Sequence, residues 1–190
     1  MKYYKYTLVD VASRIPVSIE PAKRGPDFPE GLTFIFSLEQ SSSSGVPVFY
    51  GYAEDVWEAE AWMEEVSEEI LILLFKQELI QRATLRRKAH IESGIILKDG
   101  SRFDSSKSTQ DGLSSVINTM TLDKTIKCVD FEVNSWVRLS LSEAKDILRQ
   151  INKQTQQAFS WCCKMHQEVD KCISVEECLL VSTIIAQGII

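Results

Sequence analysis

The stretch from Glu54 to His90 reads EDVWEAEAWMEEVSEEILILLFKQELIQRATLRRKAH and contains neither proline nor glycine. Strong helix formers dominate it, which predicts one long connecting helix over residues 54–92. Apolar residues at Val56, Ala59, Met63, Val66, Ile70, Leu73 and Ile80 follow steps of three and four, with Gln77 and Thr84 interrupting the series. That spacing draws one stripe along a helix and suits a coiled-coil seam as well as ordinary packing. Between Ile70 and Phe75 the stretch is apolar on every side, which implies burial by more than one surface. At 1.5 Å per residue such a helix would reach roughly 54 Å, more than a compact domain of this size needs. It is expected either to kink or to connect two bodies.

Charge along this stretch is segregated. Residues 54–69 carry eight acids and no base, whereas residues 76–88 carry five bases against the single acid Glu78. Both halves complement the helix dipole, so a stable solvated helix is one reading. A steering surface for an oppositely charged partner, or a head-to-tail register in an oligomer, is the other.

Upstream, residues 1–53 read as a β-rich module. Tyr3–Val9, Ile15–Ile19, Leu32–Phe36 and Val46–Tyr52 are rich in aromatic and β-branched residues and predict a small antiparallel sheet. Three prolines and a glycine between Pro21 and Pro29 suit a loop, and Ser41–Gly45 a flexible connection. Pro16 and Pro47 place their strands at sheet edges.

Downstream, residues 93–190 read as a mainly helical α+β module. Ile95–Asp104 predicts a tight hairpin turning at Asp99-Gly100. A helix over 105–120 follows, with Leu113, Val116, Ile117 and Met120 on one face, then a second hairpin around Asn134-Ser135. Ser140-Leu141-Ser142-Glu143 and Ser174-Val175-Glu176-Glu177 are capping boxes that open the last two helices. The fold class is therefore α+β.

Composition excludes several functions. At 190 residues and 44% hydrophobic content the chain can build a core without disulfide staples. A net charge of −6 argues against a nucleic-acid backbone as partner. The five cysteines, four of them between Cys162 and Cys178, suit free thiols in a reducing compartment better than a disulfide framework. The N-terminal residues lack the apolar stretch of a signal peptide, and no run approaches the roughly 20 apolar residues of a membrane span. A soluble product made in a cytoplasm, with no membrane partner, is the expectation.

Catalytic signatures are absent: the chain has no GxGxxG, Walker-type loop, HExxH or GxSxG pattern. Neither catalytic residues nor a cofactor are expected, and the protein reads as a binding module rather than an enzyme. Cys162 and His166, four apart on a helix, share a face and could reach one metal, but helical cysteines more often act as small buried hydrophobes. Glu92, Asp99, Asp104 and Asp111 lack the spacing of a calcium loop, and turn and helix-start chemistry accounts for Asp99 and Asp104. The candidate partner-binding residues are Trp57, Trp62, Met63, Val66, Ile70 and Leu73, together with the sheet edges.

From Arg86 to about Ala186 an ordered pattern stands out: Arg87–Ile95, then Asp99-Gly100-Ser101-Arg102-Phe103-Asp104, Gln110–Leu113, Trp136, Leu139–Glu143 and a helix ending in Gln156-Gln157-Ala158-Phe159. It resembles a domain family of unknown function found in tailed-phage tail proteins. Met1–Lys5, rich in tyrosine, is also similar to the openings of small phage tail-fibre assembly proteins. The resemblance covers about half the chain and brings no catalytic residues. It implies a tail-fibre assembly chaperone or accessory tail protein acting in the host cytoplasm, with a phage tail-fibre protein as partner. The alternative it implies is a permanent structural component of the virion tail, held as a homo-oligomer through the Val56–Ile80 seam.

Overall fold

The computed structural model describes residues 1–6, 31–38, 48–54, 63–97, 100, 102–119, 124–129 and 134–189, of which 124–129 and 134–138 are described by their backbone. The protein is α+β, as the residue pattern predicts. Its elements run β1 (Lys2–Tyr6), β2 (Thr33–Leu38), β3 (Val48–Ala53), β4 (Glu64–Val66), α1 (Glu68–Glu92), β5 (Ile95–Ile96), β6 (Arg102–Phe103), α2 (Lys107–Thr119), β7 (Lys124–Val129), β8 (Asn134–Leu139), α3 (Leu141–Lys171) and α4 (Val175–Gln187). The strand expected at Ile15–Ile19, the loop at Pro21–Pro29 and the Ser41–Gly45 connection lie outside the described residues.

By its internal packing the chain divides into two units, Met1–Leu79 with Val169–Thr183, and Ile80–Glu168 with Ile184–Ile190. These do not follow the three contiguous modules 1–53, 54–92 and 93–190. Val169–Thr183 is grouped with residues 1–79, and the 2.9 Å bond from Lys76 Nζ of α1 to the Asp170 carbonyl is one of the long-range contacts that join them.

The first unit is built on an antiparallel sheet in the order β2-β3-β1-β4, so β3, the strand expected at an edge because of Pro47, is an inner strand, and Pro47 itself lies outside the described residues. Alternation along the strands sorts its aromatic residues onto two faces. One face gathers Tyr4, Tyr6, Phe49 and Ala53 with Leu32, and Phe34 and Met63 pack against them. On the other, Phe36 stacks between Tyr50 and Phe75 with ring centroids 4.7 and 4.6 Å away. Phe75 is thus the residue through which α1 meets the sheet.

Of the helix predicted over 54–92, residues 55–62 lie outside the described residues and α1 runs from Glu68 to Glu92. Glu64–Val66 instead form β4, paired antiparallel with Lys5, Tyr4 and Tyr3 of β1. Helix propensity is a weak prior, and here ladder bonds to β1 override it. Lys2–Glu65 and Lys5–Glu64 ion pairs, at 3.4 and 3.0 Å, add to the pairing. Ser67 then starts the helix: its Oγ accepts from the Ile70 N–H at 3.4 Å and its carbonyl from the Leu71 N–H at 3.0 Å. The 25 residues of α1 span about 37 Å, with Glu68–Leu79 in the first unit and Ile80–Glu92 in the second.

The expected seam is also corrected. The buried positions of α1 are Leu71, Phe75, Leu79 and Ala83, in steps of four, whereas Ile70 and Leu73 point outward. A stretch apolar on every side offers several stripes, and stacking on Phe36 selects the one that contains Phe75.

The second unit packs both hairpins, α2 and most of α3. Ile95, Phe103, Leu113, Leu139, Ala144, Ile147 and Ile151 form its core. The first hairpin turns through Gly100, whose positive φ and 3.0 Å bond to the Leu97 carbonyl fit the predicted turn. In the second, Asn134 and Ser135 pair with Val129 and Cys128, so they are strand residues rather than a turn. The first capping box forms in full, and at the second Glu177 Oε2 accepts from the Ile173 N–H, one residue before the cap. Glu143 Oε2 accepts from Ser140 N–H at 2.8 Å while Ser140 Oγ accepts from Glu143 N–H, and Ser174 Oγ accepts from Glu177 N–H. Along α3, Ala144, Ile151, Ala158 and Met165 are buried at intervals of seven.

Candidate partner-binding surface

A partner needs apolar side chains that the fold leaves uncovered, beside backbone edges it can pair with. Among the described residues β2 and β4 are the outer strands of the four-stranded sheet. β4 is three residues long and carries Glu64 and Glu65, and β2 has a register irregularity between Phe34 and Phe36. Short, charged or bulged edges resist indiscriminate strand addition. The more open feature is the outward face of α1 beside β4. There Ile70 and Leu73 are 53% and 58% exposed, one turn apart, with Gln77 next along the stripe.

The start of α1 holds this face in place. The Tyr3 hydroxyl donates to Glu68 Oε1 at 3.3 Å, and burial, followed by the Glu68 charge, pushes its pKa up to about 12. Glu69 is held below the usual carboxylate range by hydrogen bonds from its own backbone N–H and from Ser67.

The six predicted residues therefore separate. Trp57 and Trp62 lie outside the described residues. Met63 is half-buried against the sheet core, and Val66 is half-buried in β4 opposite Tyr3. Ile70 and Leu73 face solvent. Residue-level reading missed further exposed apolar side chains in the same unit, Ile173, Leu179 and Leu180, which are 81%, 37% and 67% exposed. Their signal was available: the run Cys178-Leu179-Leu180-Val181 has more apolar positions than one face of a helix can bury.

The basic half of α1 is engaged within the chain. Lys76 caps the Asp170 carbonyl near the end of α3, and Arg86 Nη2 donates to the Ala186 carbonyl near the end of α4 at 3.1 Å. Arg87 lies over the Phe159 ring, 4.4 Å from its centroid. Cations at helix C-termini satisfy orphan carbonyls and the dipole together, which argues against these residues as a steering surface.

The acids near the first hairpin are likewise engaged. Burial pushes the Asp104 carboxyl up, but bonds from the Ser106 and Thr109 hydroxyls and the Ser106 N–H outweigh it and hold the group below its usual range. Asp111 pairs with Lys107 at 3.1 Å and Glu92 with Lys88 at 3.9 Å, while Asp99 lies outside the described residues. Cys162 Sγ and His166 Nε2 come within 3.6 Å, but among the described residues no group of three or more His, Cys, Asp or Glu side chains converges as a metal site would require. Among the same residues no helix is long and apolar enough to cross a membrane.

The thiols differ sharply in access. Cys163 is exposed, whereas Cys162, Cys172 and Cys178 are buried. Burial, reinforced by the adjacent Cys172 thiol, pushes Cys178 up to about 12. The thiolate is the reactive species, so native iodoacetamide labelling is expected to modify Cys163 at least about tenfold faster than Cys178. Peptide-resolved mass spectrometry reads the order, and equal rates would contradict this packing.

No protein-family model, curated protein or solved structure matches the chain.

Proposed function

We propose that this protein is a tailed-phage tail-fibre assembly chaperone or accessory tail protein, a binding module that covers fibre subunits before they assemble. The observation that carries the reading is the exposed Ile70–Leu73 face, presented on a helix whose opposite side is anchored to the sheet by Phe75. The choice of a tail fibre as partner rests on the resemblance of the pattern between Arg86 and Ala186 to tail proteins. Trimeric β-rich fibres expose unpaired edges and apolar surface before assembly, and such surfaces aggregate. A rigid helix face bearing two large aliphatic side chains can cover them reversibly.

Co-expression with the fibre subunit encoded beside it is the test. The fibre subunit should remain soluble and co-purify with the wild-type chain, and Ile70→Glu with Leu73→Glu should abolish both effects while circular dichroism stays unchanged. No binding and no gain in fibre solubility with the wild-type chain would overturn the reading. Mass spectrometry of finished virions separates a chaperone, scarce or absent there, from a permanent tail component, present at fixed stoichiometry.

A further inference from the structure

The second unit carries a groove of about 600 Å³ that the tail-fibre reading does not use. It is lined by Ile117 of α2 and by Lys145, Leu148, Arg149, Asn152, Lys153 and Gln156 of α3. That volume lies within the range of ordinary ligand sites. Helix geometry places Lys145, Arg149 and Lys153 one turn apart along a single row, with Cβ atoms about 6 Å from one another. Asn152 and Gln156 flank the row with amide groups. Ile117 and Leu148 are half-buried and pack on the core of the unit, so they form a recessed apolar floor.

Among the described residues the lining holds three cations and no acid. In a chain with 27 acids against 21 bases, such a wall runs against the average charge. Asp146, outside the lining, pairs with Arg149 Nη1 at 2.8 Å, with both side chains largely in solvent. Exposed pairs of this kind contribute roughly 0–1 kcal/mol, so the guanidinium can exchange partner at little cost.

We propose that this groove docks an acidic peptide segment of a partner protein, with carboxylates one helical turn apart and at least one large apolar side chain inserted over Leu148 and Ile117. Its spacing and charge select this chemistry. A single phosphate needs donors converging on one point, whereas these cations extend along two turns. A lipid surface needs apolar side chains that protrude, whereas this floor is recessed. Complementary charge in such a groove sets register and encounter rate, and the apolar anchor gives the contact its lifetime.

A short fluorescein-labelled peptide with glutamates one turn apart and leucines between them is the probe, titrated into the full chain and followed by anisotropy. Saturable binding is expected, weakening at least about tenfold between 50 and 300 mM salt as the pairs are screened. Lys145→Glu, Arg149→Glu and Lys153→Glu together should abolish it. All three residues are exposed, so circular dichroism and melting should be preserved. A glutamate peptide of equal length without leucine should bind at least about tenfold more weakly. Equal binding by the triple variant would overturn the proposal, as would displacement by inorganic phosphate or equal affinity for phosphatidylglycerol vesicles. Self-association of the wild-type chain that the triple variant loses would replace the peptide by a second copy and overturn it too. None of these outcomes depends on the fibre, so the groove and the tail-fibre reading stand or fall separately.

Discussion

Phe75→Ala is expected to lower the stability of the protein by about 3–5 kcal/mol, the range for a large aromatic removed from a core. Phe75 is fully buried and lies nearly parallel to Phe36, which in turn stacks on Tyr50. Truncation removes the end of a three-ring stack and leaves a cavity between α1 and the sheet that rigid β-strands cannot close. Urea denaturation reads the loss directly. Leu73→Ala, two residues away but 58% exposed, should change stability by no more than about 0.5 kcal/mol. Similar losses at the two positions would mean that α1 is rotated from the orientation described.

Gly94→Ala carries the second large effect, about 3 kcal/mol of destabilisation. Gly94 ends α1 with φ near 78°, where a side chain costs about 1–3 kcal/mol. An added Cβ would also lie 2.6 Å from the backbone oxygen of Phe103, which belongs to the adjoining hairpin and cannot swing aside as a side chain would. The surroundings are equally constrained: Gln154 Nε2 donates to the His90 and Gly94 carbonyls at 2.9 and 3.2 Å, and Ser105 donates to the Ile91 carbonyl. Gly112→Ala provides the opposite sign. That position lies within α2 with open space around it, so alanine should stabilise by about 0.5–1 kcal/mol. Thermal melts of the two variants should therefore move in opposite directions.

The candidate surface was partly legible before folding was considered. Ile70 and Leu73 belong to a run too apolar for one helix face, and excess of that kind leaves something uncovered. Which members remain outside depends on where Phe75 lands, and no local pattern contains that information. Ile173, Leu179 and Leu180 were overlooked because the adjacent capping box and cysteines suggested ordinary helix packing. The bases of α1 misled in a different way. Local charge segregation cannot distinguish a solvated steering surface from cations that cap helix ends, and Lys76 and Arg86 reach carbonyls 94 and 100 residues away.

What the residues determined by themselves was local. Strands β1, β2 and β3, the helix starts at Ser140 and Ser174 and the Gly100 turn follow from side-chain chemistry acting within a few positions. Tertiary structure decided the rest. It turned Glu64–Val66 from predicted helix into strand, because pairing with β1 satisfies their backbone at 59 or more residues' separation. It chose Leu71, Phe75, Leu79 and Ala83 as the buried stripe, because Phe36 waits on the sheet for a ring. It also drew Val169–Thr183 into the first unit, so that the two units interleave along the chain. Each of these choices rests on partners distant in sequence, where propensity and periodicity carry no information.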